Sequence, residues 1–204
     1  IVRSSGSVCR PAEAIQKAVG CLLSGPAAGL SGAWHLAQRL QLPRIFTLDV
    51  GGTSSDVALC DGELPFLEQS EVAGIPFRCP QVDIHTVGAG GGSIAYRDST
   101  GLLRVGPQSA GSKPGPAAYG QGGPVTVSDA LLYLGRLPHH LAGGNLKLDL
   151  KASALALETL AAQLQLDPLE TAAAIVEISE QTMAQALRFI SLERGHDPRK
   201  FVLV

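Results

Sequence analysis

Apolar residues follow two rhythms along this chain, and the rhythm changes three times between helical and strand-like spacing. "RPAEAIQKAVG" (10–20) reads as a short helix with Pro11 in its first turn. "SGPAAGLSGAWHLAQRL" (24–40) predicts a small-residue loop that runs into a helix, with Leu30, Trp34, Ala37 and Leu40 at helical spacing. "RIFTLDV" (44–50) and "DVALC" (56–60) predict paired strands, and "DGE" (61–63) a turn. "SIAYRDSTGLLRVG" (93–106) predicts a hairpin turning near Ser99–Gly101. Helical spacing then returns over 128–137, with Ser128 or Asp129 placed to cap, over 151–166, and over 168–194. The last helix has Pro168 at its start and Gly195 just past its end. Ala172, Ile175, Ile178, Met183, Leu187, Ile190 and Arg194 mark one of its faces, apolar until the final turn. "RKFVLV" begins another strand. This order predicts mixed α/β layers with no internal repeat.

One stretch breaks the rhythm. Residues 88–123 hold 11 of the chain's 24 glycines. Within them "GPQSAGSKPGPAAYGQGG" (106–123) is a loop too long to be idle. Glycine loses more backbone entropy on folding than other residues, so an ordered loop of this kind is expected to need a ligand or a neighbouring lobe.

The chain has 204 residues, enough for one large domain or two small ones, and 45% of them are hydrophobic. A net charge of −2 and 4% aromatics give neither a basic footprint nor a base-stacking platform for nucleic acid. No run approaches the roughly 18 apolar residues of a membrane helix, and the opening "IVRSSGSV" lacks the charged head and apolar stretch of a signal peptide. Cys9, Cys21, Cys60 and Cys79 show neither CxxC pairing nor zinc-ligand spacing, so reduced thiols in a cytoplasmic protein are expected. Ile1-Val2 and "FVLV" place strand-like residues at both ends, the pattern of a piece cut from a longer chain.

The candidate chemistry lies in "TLDVGGTSSDVAL" (47–59). A phosphate oxygen needs converging N–H donors, which Gly51 and Gly52 can expose while Thr53, Ser54 and Ser55 add hydroxyls. Asp49 repels phosphate but can hold a hydrated Mg²⁺ that bridges phosphates. The alternative is a tight turn with a hydroxyl-rich tip. "VGAGGGS" (87–93), with Gly90, Gly91 and Gly92, is a second candidate ligand loop. A dinucleotide fingerprint there would need a helix to follow, and a hairpin pattern follows instead. Four glycines among residues 88–92 suggest backbone lying against something. His85, beside this loop, is either a hydrogen-bonded core residue or a site residue. Lys113 is either solvated or faces phosphate, and His35, His139, His140 and His196 read as surface or helix-end groups.

Taken in order, "LLSGPAAGLSGA", "TLDVGGTSSDVAL", "DIHTVGAGGGSIA", "GLLRVGPQSAGSKPGPAAYGQGG", "TVSDALLYLGRL" and "SLERGHDPRKFVLV" resemble the hydantoinase A / 5-oxoprolinase family over nearly the whole chain. That family includes ATP-dependent 5-oxoprolinase, N-methylhydantoinase A and the ATP-using subunits of acetone-type carboxylases. The resemblance implies one lobe of an actin-like ATPase (ribonuclease H-like) fold, a mixed sheet with hairpins and flanking helices, truncated at both ends. Residues 1–204 then form a single domain or fragment that carries the second phosphate loop of a two-lobed clasp. It further implies ATP and Mg²⁺ as cofactors, a cyclic amide substrate, the missing first lobe of the same chain, and a hydantoinase B-type subunit or domain as partner. Asp49, Gly51, Gly52, Thr53 and Asp56 look like the phosphate loop, with Asp49 on metal-bound water and Gly51–Thr53 on phosphate. The implied roles of Gly90–Gly92 are nucleotide or substrate phosphoryl, and His85 is a candidate for substrate or metal. "RSSGSV" departs from the family's usual S-N-G-G type of segment, and Ser55 stands where Thr is commoner. A single lobe is not expected to turn over substrate by itself. A sugar-kinase-like phosphotransferase and a non-catalytic nucleotide-binding lobe remain alternatives on the same fold.

Overall fold

A computed structural model of the protein describes residues 1–72 and 75–204. Helices α1 (Pro11–Gln16) and α2 (Ser24–Arg39) lead into strands β1 (Arg44–Val50) and β2 (Ser55–Asp61). Short strands β3 (Phe66–Leu67), β4 (Ser70–Val72), β5 (Ile75–Phe77), β6 (Gln81–Val82) and β7 (His85–Val87) follow, then the hairpin of β8 (Ser93–Arg97) and β9 (Leu103–Ser109). The remainder comprises α3 (Val127–Tyr133), β10 (His140–Leu141), β11 (Leu146–Lys147), α4 (Leu150–Leu164), α5 (Pro168–Glu193) and β12 (Val202–Leu203). The chain divides into two compact units. One contains Ile1–Asp49, Asp56–Thr86 and Ala186–Val204, the other Val50–Ser55 and Val87–Gln185.

The first unit is built on β1 and β2, neighbours in a sheet of order β12-β1-β2-β7. Strand β12 runs parallel to β1, with Ile45 opposite Val202 and Phe46 opposite Leu203, so the sheet is mixed. Side chains alternate between faces along a strand, and here both faces are covered. Ile45, Ala58 and Cys60 pack with Ala27, Leu30, Trp34 and Ala37 of α2. Phe46 and Leu59 pack with Ile190 at the end of α5, and Phe201 closes on Phe46 with ring centroids 4.9 Å apart. This double coverage explains why "IF" and "VALC" are unbroken apolar runs instead of alternating ones. Arg194, which ends the apolar face of α5, forms an ion pair with Asp83 and reaches the Leu59 carbonyl. The four cysteines are free, and burial pushes the Cys60 thiol up to about 11, with Arg194 opposing in part.

Helix α2 starts at Ser24, where the sequence reads as a loop. Pro26 falls in its first turn, where the missing N–H would have no helical partner in any case, so the small-residue segment is already helical. The gain is proximity. A Cβ built on Gly29 lies 4.0 Å from Asp49 Oδ2, so the bare helix backbone faces that carboxylate.

The second unit packs the β8–β9 hairpin against α3, α4 and the first part of α5. Ala95, Val127, Ala130, Leu157, Ile175 and Val176 are among its buried core. The hairpin turns at 98–102 as the sequence implies, and β9 continues to Ser109. Helix α3 is capped by Thr126, with Asp129 at the third helical position and not at the cap itself. Asp129 is fully buried and accepts five hydrogen bonds: from the N–H groups of Ala117 (3.2 Å), Ala118 (2.7 Å) and Thr126 (2.8 Å), and from the hydroxyls of Thr126 (2.7 Å) and Ser153 (2.7 Å). The carboxylate therefore anchors the glycine-rich loop at a short 3₁₀ turn, Ala117–Tyr119. Gly115 to Ala118 are buried, and Ala117 also donates to the Pro124 carbonyl (3.1 Å). The expectation that order over 106–123 needs an outside partner gives way to this internal anchor.

Loss of one partner of a buried hydrogen bond leaves the other desolvated, at about 1–3 kcal/mol per group. Asp129→Ala is therefore expected to lower unfolding free energy by about 4 kcal/mol or more, the sum of several such losses. Asp129→Asn, which turns one acceptor into a donor facing other donors, should cost about 3 kcal/mol. Urea unfolding midpoints measure both. A loss below about 1 kcal/mol in both variants would mean that water replaces the carboxylate and that the anchor is dispensable.

Candidate functional site

Strands β1 and β2 are joined by Gly51–Ser54, a four-residue tip whose residues are exposed except for half-buried Ser54. The tip is closed by the Gly51 N–H donating to the Ser54 carbonyl at 2.9 Å. It rests on Gly90–Gly92. Gly91 N–H donates to the Gly51 carbonyl (3.0 Å), and Gly92 N–H to the Gly52 carbonyl (2.6 Å). Ser55 Oγ donates to the Ala89 carbonyl, and Ser93 Oγ accepts from the Gly90 N–H (2.9 Å). Contact is so close that a Cβ on Gly90 would lie 2.7 Å from the Gly51 carbonyl oxygen and 2.8 Å from the Ser54 nitrogen. One on Gly92 would lie 2.7 Å from the Gly52 carbonyl oxygen. The backbone that the glycines lie against is thus the tip itself.

This arrangement divides the work between the two glycine clusters. All three N–H groups of Gly90–Gly92 are used within the chain, so they form a bed and do not present donors to a ligand. Among the described residues, the N–H groups of Gly52, Thr53 and Ser54 have no acceptor within the chain. Three consecutive backbone donors without an acceptor therefore lie on an exposed, buttressed turn.

The carboxylates belong to the other unit. Asp49 is exposed at the end of β1, and half-buried Asp56 accepts from the Thr86 hydroxyl at 2.5 Å. Both line a pocket of about 170 Å³ with Pro26, Gly29 and Ile84. Among the described residues no group of three or more His, Cys, Asp and Glu side chains could hold a metal by itself. Two carboxylates at an open pocket fit Mg²⁺ nonetheless, because that ion keeps several waters and is bound through one or two carboxylates plus phosphate oxygens.

His85 does not join them. Ile84 faces the pocket and Thr86 bonds Asp56, so the intervening His85 turns to the opposite side. Its exposed ring lies 5.8 Å from that of Phe189. Lys113 is exposed, as are His35, His139 and His140, while His196 sits 3.4 Å from Asp61. Sequence reasoning missed Thr86, Ser93 and the anchoring role of Asp129. The available signal was a hydroxyl or acid flanking each glycine-rich turn.

The family profile for hydantoinase/oxoprolinase matches residues 1–204. The chain belongs to the hydantoinase/oxoprolinase family. Caprolactamase subunit alpha of Pseudomonas jessenii is 37% identical over 206 residues, covering 99% of this chain and 30% of that protein. The crystal structure of the ATP-dependent caprolactamase from that organism matches with a TM-score of 0.79 and 38% identity, over 91% of this chain and 28% of the other. The 5-oxoprolinase of Saccharomyces cerevisiae is 40% identical over 190 residues, 86% of this chain and 15% of that one. Nucleotide-free acetone carboxylase matches with a TM-score of 0.78 and 33% identity, over 90% of this chain and 27% of the other. The chain thus spans less than a third of the length of each of these relatives. Among the described residues no helix is long and apolar enough to cross a membrane.

For this family member the glycine bed gives a sharp steric test. Gly90→Ala forces a methyl group into backbone atoms on the tip, whereas a Cβ on Gly52 meets nothing within 4 Å. Gly90→Ala should destabilise by about 2 kcal/mol, an overpacking cost that corresponds to a fall of roughly 4–8 °C in melting temperature. Gly52→Ala should stay within about 1 °C of the parent, as exposed substitutions usually do. Thermal melts of the two variants side by side check the contrast, and equal melting temperatures would show that the bed yields easily.

Proposed function

We propose that this chain is the nucleotide-binding lobe of an ATP-dependent enzyme that activates a cyclic amide carbonyl by phosphorylation before the ring opens. The observation that carries this reading is the exposed N–H array of Gly52–Ser54 held on the Gly90–Gly92 bed. Support also comes from relatives named as ATP-dependent caprolactamase and 5-oxoprolinase. A mixed sheet with α2 on one face and the end of α5 on the other agrees with an actin-like, ribonuclease H-like lobe. The first lobe of such a clasp would come from the rest of a longer chain.

The chemistry follows from amide resonance, which makes a lactam carbonyl a weak electrophile. Transfer of the γ-phosphoryl group of ATP to the carbonyl oxygen, with departure of ADP, turns that oxygen into part of a leaving group. Water can then add to the carbon, the C–N bond breaks as the ring nitrogen takes a proton, and a second water releases inorganic phosphate from the acyl phosphate to leave the carboxylate. The work of the protein is to hold the phosphates in line and to neutralise their charge. Gly52, Thr53 and Ser54 would grip phosphate oxygens through their N–H groups, with the Thr53 and Ser54 hydroxyls, while the Gly51 N–H, expected from the sequence to join them, instead closes the tip on the Ser54 carbonyl. Asp49 and Asp56 would hold Mg²⁺ through its waters, and the ion when bound supplies charge neutralisation. Gly90–Gly92 hold the tip in shape, and His85 is assigned no step.

The relative named caprolactamase subunit alpha supports a second, hydantoinase B-type subunit as partner. A second reading, the ATP-using subunit of an acetone-type carboxylase, is favoured by the match to acetone carboxylase and shares the ATP-dependent activation. Assay of the full-length protein with caprolactam, 5-oxoproline, a hydantoin and acetone, each with ATP, separates the two. In that assay Asp49→Asn is expected to cost about 3 kcal/mol of transition-state stabilisation, a loss of over 100-fold in turnover, with folding stability nearly unchanged. Near-normal turnover in this variant would make Asp49 a structural residue and remove the metal assignment.

A further inference from the structure

Beneath the glycine bed, in the second unit, lies a cavity of about 110 Å³. Its walls are Val127, Leu131, Val176 and Met183, with Gly90, Gly91 and Val50 on the side of the tip. Two polar side chains line it, Ser179 and Glu180 of α5. Ser179 is 3% exposed, yet among the described residues its hydroxyl has no hydrogen-bond partner. This sets it apart from its neighbours. A helical hydroxyl ordinarily satisfies itself on the carbonyl of the preceding turn. On the same helix Thr171 bonds back to the Asp167 carbonyl (2.9 Å), Thr182 to Ile178 (2.9 Å) and Ser191 to Arg188 (2.8 Å). A buried hydroxyl left without a partner costs free energy, and a ligand that supplies one recovers it.

We infer that this cavity is a subsite for a small, neutral cyclic carbonyl compound of five-membered-ring size, held by a hydrogen bond from Ser179 Oγ to the ring carbonyl. The apolar walls take the methylene groups. The volume lies below the about 150 Å³ of a cavity that accepts benzene, which favours a five-membered lactam over a seven-membered one. Glu180, exposed at the lining, can accept the lactam N–H and repels a substrate that carries its own carboxylate. The ligand class is therefore a neutral lactam such as 2-pyrrolidinone, and not the 5-oxoproline anion. Gly91 links the two regions: its N–H donates to the Gly51 carbonyl, and the residue also lines the cavity.

The role of this subsite in catalysis rests on the ATP-dependent reading, but its binding does not, and the test keeps the two apart. Ligand-observed NMR on the full-length protein compares 2-pyrrolidinone with 5-oxoproline, in the presence and absence of ATP and Mg²⁺. The parent is expected to bind 2-pyrrolidinone at least tenfold more tightly than 5-oxoproline. Ser179→Ala is expected to weaken 2-pyrrolidinone about tenfold, and Ser179→Val, which also fills the cavity, to abolish binding. Without ligand, Ser179→Ala should melt at the parent temperature or above, because it removes an unsatisfied hydroxyl. Where lactam turnover is measurable, KM for the lactam should rise while KM for ATP stays within twofold. No binding of 2-pyrrolidinone by the parent, equal affinity in the parent and both variants, or a lower melting temperature for Ser179→Ala, the sign of a structural water, would each overturn the subsite. Binding that depends on Ser179 in a protein with no ATP-dependent turnover would leave the subsite standing and remove the reading above. Lactam turnover indifferent to Ser179 would do the reverse.

Discussion

Backbone laid directly on backbone is the constraint on which the candidate site depends. The Gly51–Ser54 tip can expose its N–H groups only if something else fixes its carbonyls. Gly91 and Gly92 do so, each donating to a tip carbonyl. That contact has no room for side chains, since a Cβ at Gly90 or Gly92 would lie 2.7 Å from a carbonyl oxygen. An unsupported turn of this composition would sample many conformations and present its donors in none of them for long. The bed fixes a glycine pair that would otherwise be flexible, and under the proposed function that preorganisation would serve the electrostatic stabilisation of a phosphoryl group.

A second buried interaction keeps the bed in place. Asp129 gathers donors from the 117–118 turn, from the cap of α3 and from Ser153 of α4. Through Ser128, whose N–H donates to the Gly91 carbonyl at 2.7 Å, the start of α3 holds the bed directly. The route from core to site is therefore short: the helices of the second unit hold Asp129 and Ser128, Ser128 holds Gly91, and Gly91 holds the tip. The carboxylates reach their positions by a separate route, through the doubly covered strands of the first unit and the glycine face of α2.

Elements with strong periodicity were legible in the sequence. Strands 44–50 and 56–60, the 93–106 hairpin and the three C-terminal helices occur within a few residues of where the pattern puts them. Helix α2 was misread at its start, because glycine and proline argue for a loop by propensity while close approach to Asp49 favours a bare helix. The opening motif was legible as a glycine- and hydroxyl-rich turn between two strands, but the division of labour between the two glycine clusters was not. Glycine tolerates both exposure of donors and close packing, and sequence alone does not say which is used at a given position. The same ambiguity made residues 106–123 read as a loop awaiting a partner, when the partner is a buried acid a few residues downstream. His85 shows the limit of proximity in sequence: one residue along a strand moves a side chain to the other face.

The central claim is that the tip binds phosphate through its backbone. It is tested most directly by a crystal structure of the full-length protein with Mg²⁺ and a non-hydrolysable ATP analogue. The account predicts phosphate oxygens within hydrogen-bond distance of the N–H groups of Gly52, Thr53 and Ser54, and an Mg²⁺ whose waters contact Asp49. A nucleotide bound elsewhere, with those three donors still facing solvent, would contradict it.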